Sequence, residues 1–176
     1  MWQAEGRGKK TMARDLFLRD VVDDDLPIFF EHQLDPDANS VAAFTAEDPA
    51  DREAFEAHWN RILADPTVIA RTIVCDGRVV GSVLSYEMDG KPEVSYWIDK
   101  PYWGRGIATR ALSAFLADVN RARPIYAHVV HDNVASLRVL EKCGFTVIGE
   151  ARGFANARGA EVKEFILALE ATESDT

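Results

Sequence analysis

The chain has 176 residues, 47% of them hydrophobic, which suffices for one domain with a proper core and is short for two. Its formal net charge of −9 repels phosphate backbones, so nucleic acid is not an expected partner, and no apolar run reaches the length of a membrane span. Residues 1–14 lack the apolar stretch of a secretory signal and read as a disordered leader or expression scar; with Cys75 and Cys143 read as reduced thiols, the expected location is cytoplasmic.

One domain is expected over residues 15–170, with 171–176 as a tail. Residues 16–22 (LFLRDVV) read as a first strand. DDDLPIFFEHQL follows as a helix, with aspartates at its start and Pro27 where a first turn tolerates proline. Residues 35–48 are a polar stretch rich in Asp, Pro, Asn and Ser. Phe55, Trp59 and Ile62 then recur at helical spacing. Residues 68–75, 79–88 and 93–99 are strand-like and separated by DGR and DGK; Asp-Gly is a strong hairpin signal, so an antiparallel meander is expected.

A turn with Gly104 and Gly106 comes next, and Leu112, Phe115, Leu116 and Val119 mark the stripe of a helix behind it. IYAHVV is a fifth strand, parallel to the fourth because a crossover helix intervenes. DNVASLRVLEKCGF is a helix capped by Asn133 and stopped at Gly144. FTVIGEA and VKEFILAL close the sheet, joined by a loop over residues 152–160.

The glycine turn allows close backbone approach, and a helix N-terminus favours an anion. No G-x-x-x-x-G-K-[ST] phosphate loop is present, and Thr109 stands where a dinucleotide fingerprint needs its third glycine. On the glycines alone, a tight turn that binds nothing is the better reading. Together with NVASLRVLEKCGF, however, the turn resembles the GNAT acetyltransferase superfamily in its RimJ/RimL-like branch. One family motif, Gln or Arg followed by x-x-G-x-G/A, falls on Trp103, Gly104, Arg105, Gly106, Ile107 and Ala108. The other, an Asn-x-x-Ser/Ala helix ending in K-x-G-F, falls on Asn133, Ser136, Lys142, Gly144 and Phe145.

The resemblance implies an α/β fold: a mixed, mainly antiparallel sheet of about seven strands, helices on both faces, and a splay between strands four and five. It implies acetyl-CoA as co-substrate, no metal, and an amine acceptor that is a peptide N-terminus or a small molecule. The amides of Gly104, Arg105, Gly106, Ile107, Ala108 and Thr109 would face the pyrophosphate. Backbone groups of Trp97, Ile98 and Asp99 would pair with pantetheine, and Asn133 would touch that arm as well as cap its helix. Lys100, Arg105 and Arg110 gather near the turn. An exposed strand edge leaves room for a homodimer.

Two departures stand out. Trp103 replaces the family's usual Gln or Arg, and Leu140 occupies the position where many members carry a tyrosine that protonates the leaving thiolate. Ser136 is then either a hydrogen-bond donor to sulfur or a helix-start serine bonding its own backbone; Cys143 is a weaker substitute. A CoA-binding sensor without turnover is the alternative that the missing tyrosine supports. For a base, Glu93 is either catalytic or an exposed strand-end carboxylate, and His131 is the second candidate. The two histidines of HVVH lie on opposite strand faces and form no metal pair, while His32 and His58 fall on helices without a role. The 35–48 segment (Asp35, Asp37, Glu47, Asp48) with the 152–160 loop reads either as an acidic acceptor mouth or as a loop whose charges merely solvate it.

Overall fold

The computed structural model describes residues 15–173; the leader expected over 1–14 and the end of the expected tail lie outside the described residues. Seven strands form one sheet in the order β1-β2-β3-β4-β5-β7-β6. They are β1 Leu16–Asp20, β2 Ile69–Cys75, β3 Arg78–Met88, β4 Lys91–Ile98, β5 Ile125–Val130, β6 Thr146–Ala155 and β7 Ala160–Leu169. Helices α1 (Leu26–Gln33), α2 (Pro36–Ala42) and α3 (Arg52–Ala64) precede β2, α4 (Ile107–Ala114) links β4 to β5, and α5 (Val134–Lys142) links β5 to β6. Among the described residues, no helix is long and apolar enough to cross a membrane.

β2, β3 and β4 form the expected antiparallel meander, and β1 adds to it antiparallel beside β2. Asp76, Gly77, Asp89 and Gly90 all adopt positive φ, the conformation that two-residue hairpin turns demand. β4 and β5 are parallel but share a single registered pair, Glu93 with Tyr126, and then part. β7 returns antiparallel between β5 and β6.

Two stretches differ from expectation. Within the polar 35–48 stretch, Pro36–Ala42 is helical: the Asp35 carboxylate accepts from the amides of Asp37 (2.8 Å) and Ala38 (3.0 Å), and Pro36 sits where its missing N–H costs nothing. The 152–160 loop is mostly strand, because β6 and β7 stay paired out to Ala155 and Ala160 and only residues 156–159 turn.

Each face of the sheet has its own core. On one, Ile73, Val83, Val94, Ile98 and Ile125 pack against Ile107, Leu112 and Phe115 from the α4 segment and Leu140 of α5. On the other, Phe29, Phe30, Phe55 and Trp59 of α1 and α3 cover Val79 and Leu84 of β3. Asp25, 2% exposed, ties α1 to the strands by accepting from Arg19 (2.7 and 2.8 Å), the Val22 amide (3.0 Å) and the Thr72 hydroxyl (2.7 Å). Burial alone pushes its carboxyl pKa up; the donors outweigh that and hold it below the usual range.

Gly81 of β3 lies opposite Ile98, and a β-carbon built there would stand 1.9 Å from the Trp97 carbonyl oxygen. The clash is with backbone, which cannot rotate away. Gly81→Ala should therefore cost about 2–3 kcal/mol of stability, the upper range for overpacking. A urea midpoint lowered at unchanged slope is the expected result, and an unshifted midpoint would show that β4 can yield.

Candidate active site

β4 is where the functional groups meet. The Asp99 amide donates to the Val80 carbonyl at 2.8 Å. By the two-residue repeat of an antiparallel ladder, the backbone groups of Trp97 and the Asp99 amide then face β3, while those of Val94, Tyr96 and Ile98 face β5; the parallel Glu93–Tyr126 pair takes up the Val94 N–H, and the Asp99 carbonyl accepts from the Tyr102 amide at 2.9 Å. Of the three residues expected to offer backbone groups, Ile98 is the one so turned. Its carbonyl is already taken by the Trp103 indole N–H at 2.8 Å, which gives that departure from the motif a structural task.

The turn after β4 has the left-handed backbone its glycines permit, φ 72° at Gly104 and 74° at Gly106. Gly106 opens α4, and the first N–H groups of that helix, on Ile107, Ala108 and Thr109, have no acceptor one turn earlier. Arg105 lays its guanidinium over the Tyr102 ring, 5.3 Å from the centroid, and its shielded Nε meets no partner. Lys100 turns away from this site to pair with Asp37.

Successive β4 side chains point to opposite faces. On the α5 face, the Tyr96 hydroxyl lies 2.7 Å from Ser136 Oγ. Burial pushes the Tyr96 phenol up to about 12. Asn133 caps α5 by accepting from the Ser136 amide (3.2 Å) and donates to the Val41 carbonyl (3.4 Å). Leu140 is buried nearby. Cys143, whose thiol burial also pushes up, lies 3.6 Å from the Thr109 carbonyl.

On the opposite face Glu93 is only 7% exposed, so it is not the solvated strand-end carboxylate its position suggested. His128 Nε2 lies 3.1 Å from it, His128 Nδ1 lies 2.8 Å from Glu164, and the Tyr86 hydroxyl donates to Glu93 at 3.4 Å. The hydrogen bond to Glu164 and the charge of Glu93 outweigh burial and raise the His128 pKa. His131, the other base candidate, instead stacks on Phe165 at 3.9 Å and approaches Glu150 at 3.4 Å. Among the described residues, no three His, Cys, Asp or Glu side chains are arranged to hold a metal ion.

Glu93 opens into a cavity of about 890 Å³ that reaches from the β4–β5 opening to the aromatic wall of Phe29, Phe55 and Trp59. His32 and His58, given no role from sequence, line it. The expected acidic mouth is not what surrounds it. Asp35 and Asp48 accept backbone amides, Asp37 pairs with Lys100, and the cavity's carboxylates are Glu93 and Glu164.

α2 and the residues after it bridge the opening from above. Arg158, from the β6–β7 turn, donates to the Ser40 carbonyl at 2.9 Å and grips Asp132 with both guanidinium nitrogens, at 2.5 and 2.8 Å. Asn156 donates to the Thr45 carbonyl at 2.9 Å. Sequence reasoning missed Tyr96, His128 and this strap; alternation along β4 and β5 was the available signal for the first two.

A family model described as "Acetyltransferase (GNAT) domain" matches residues 15–146. Over 122 residues the chain is 33% identical to YdaF of Bacillus subtilis (strain 168), which is provisionally named a ribosomal N-acetyltransferase; the match covers 62% of this chain and 65% of that protein's length, just under two thirds. Among solved structures, RimJ of Mycobacterium smegmatis in complex with CoA-disulfide superposes with a TM-score of 0.75 at 23% identity, over 89% of this chain and 82% of that one. Spermidine N-acetyltransferase of Vibrio cholerae, in complex with CoA and spermine, gives 0.71 at 21%, over 88% and 95%. At such identities these structures speak for the fold.

The raised His128 pKa carries a stability consequence with a definite sign. Between the unfolded value near 6.5 and its higher folded value, the folded chain keeps a proton that the unfolded chain releases. The contribution is therefore complete below about pH 6.5 and is lost as pH rises through the folded value. In urea titrations, the stability gap between wild type and His128→Asn should be wider at about pH 6 than at about pH 9. A gap that widens toward alkaline pH would refute the assignment.

Proposed function

The chain belongs to the GNAT acetyltransferase family, and on that premise we propose that it moves the acetyl group of acetyl-CoA to a primary amine by direct attack in a ternary complex. The acceptor is a protein N-terminal α-amine or a small-molecule amine. The observation that carries this reading is the division of labour on β4: open backbone groups in the sheet plane, a phenol–serine pair on one face, and a carboxylate–imidazole–carboxylate group on the other.

The α4 N-terminus and the open N–H groups of β4 suit a diphosphate joined to an amide-bearing arm. Gly104 to Thr109 would hold the former; Tyr96 and the Ile98 amide would hold the latter. Acetyl-CoA supplies an activated acyl carbon and a sulfur leaving group. The chain must supply a neutral amine, an oriented carbonyl and relief of charge on sulfur.

On the cavity face, the Glu93–His128–Glu164 group attracts an incoming ammonium and accepts its proton, Glu93 touching the nitrogen and His128 sharing the charge. The raised imidazole pKa moves toward that of an incoming amine, and an α-amine near 8 gives up its proton more readily than a lysine-like amine near 10.4. Proton removal from an α-amine therefore costs roughly 3 kcal/mol less than from lysine. The amine then forms the new N–C bond as the C–S bond breaks, with open β4 N–H groups as donors to the carbonyl oxygen.

On the other face Tyr96, at about 12, holds its proton more tightly than a thiol near 8.5. It steadies the departing sulfur through Ser136 by hydrogen bonding, without net loss of its proton. The pair supplies a hydrogen bond to sulfur in place of the proton that a tyrosine at Leu140 would donate, and this supports turnover over a sensor role.

Release of free thiol from acetyl-CoA in the presence of an amine, read with a thiol dye, tests the activity; no thiol with any amine would refute it. Tyr96→Phe and Ser136→Ala should each lower turnover by about tenfold to a hundredfold while leaving the dissociation constant for CoA within about threefold. Equal loss in both quantities would make the pair a binding element. Gly106→Val should do the reverse, raising that dissociation constant about tenfold or more, because a side chain at φ 74° strains the turn and blocks close approach. Unchanged CoA affinity would move the diphosphate elsewhere.

A further inference from the structure

Away from the Glu93 group, the cavity shows mainly carbon. Trp97 and Thr45 line it, but the indole Nε1 and the threonine Oγ1 are shielded from solvent, so neither polar atom is available to a ligand there. The amide N–H groups of Gln33 and Asn39 are spent on the carbonyls of Pro49 (2.7 Å) and of Gln33 and Asp35 (2.6 and 2.9 Å). The Ser95 hydroxyl bonds the Tyr86 phenol. What stays accessible is apolar. Ile62 and Leu84 are half-buried, while Phe44 is 42% and Met88 48% exposed, and all four line the cavity. The strand register sets a scale: Tyr86 lies opposite Glu93 and Leu84 opposite Ser95, so Leu84 shares the face of Glu93 about 7 Å along the ladder. Ser95 is exposed and short, which keeps the floor between them low.

We infer that the acceptor is a small primary amine joined by an arm of about two or three carbons to an uncharged aromatic ring, with the amine at Glu93 and the ring against Leu84, Ile62 and Phe44; the inference rests on the transferase reading above and names its substrate class. Covering exposed apolar surface favours the complex in proportion to area, and a flat ring does so with few rotors to freeze. An apolar surround also disfavours an ammonium, which eases the proton loss that the transfer needs. A polyamine's second cation would find no carboxylate of its own, because Glu93 and Glu164 are the cavity's carboxylates and both face His128. A peptide would bring carbonyl and N–H groups to a wall whose polar groups are largely taken, and each one left unpaired weakens binding.

The test uses the whole protein and four probes: 2-phenylethylamine, ethylamine, spermidine and phenylalanylalanine amide, which carries the same ring on a peptide. Each specificity constant is referred to the fraction of amine that is neutral at the assay pH, which removes differences in amine pKa. Wild type should favour 2-phenylethylamine over ethylamine by about a hundredfold, and over the other two probes as well. Phe44→Ala, at an exposed position, should lower the ratio of 2-phenylethylamine to ethylamine about tenfold. Ile62→Glu, which sets a carboxylate on the wall, should lower that ratio too and raise spermidine relative to ethylamine. Both variants are checked for folding by melting temperature and for CoA affinity. A wild-type ratio near unity, or one unchanged in both variants, would overturn the ring subsite. A higher constant for spermidine or for the peptide would overturn the substrate class. Failure to acetylate any probe would instead bring down the transferase reading beneath it.

Discussion

A strand inside a sheet has two rows of backbone groups to satisfy, and beyond Glu93 β4 satisfies only one of them with a neighbouring strand. Everything else in the site follows from that divergence. The open row must face something that can hydrogen-bond, because buried amide groups are not left unpaired without cost. The separation also lets side chains of the two faces reach a common point. Without it, Tyr96 and Glu93 would be ordinary residues on the two sides of a closed sheet.

The two faces then differ in polarity in a way that suits opposite tasks. Tyr96 and Ser136 are neutral and lie against an apolar core, where a hydrogen bond is strong and a charge is expensive. Glu93 and Glu164 are carboxylates close together, tolerable only because an imidazole sits between them. Neither arrangement would survive on the other's face. Residues one and three positions apart along a strand always project oppositely, so on the proposed reading a single strand would deliver a proton acceptor and a hydrogen-bond donor to the two sides of one reacting centre.

What could be read in the sequence was whatever depends on neighbours in the chain. The hairpins were legible because Asp-Gly dictates its own backbone, and α5 because Asn133 and Gly144 mark its ends. α2 was missed although Asp35-Pro36 is a start signal, since a single short helix carries no sustained apolar repeat. The parting of β4 and β5 came only through family resemblance; no local pattern says where a parallel pair stops pairing. Tyr96 meets Ser136 forty positions away, and His128 has partners on two different strands, so strand parity alone could narrow them but not join them. The acidic residues of the 35–48 stretch misled because charge in a loop was counted as field, when most of it is spent on capping amides and on Lys100.

The single pair between β4 and β5 also makes the sheet two rafts moored side by side, one of strands β1 to β4 and one of β5 to β7. Lines are thrown across by α4 and α5 and by the strap, which is tied to the first raft at Lys100 and to the second at Arg158 and Asn156. A ligand lying in the gap adds a further line between them. On the proposed reading its binding energy would appear as cohesion between the two rafts, held together within the sheet by one registered pair, and would raise the melting temperature.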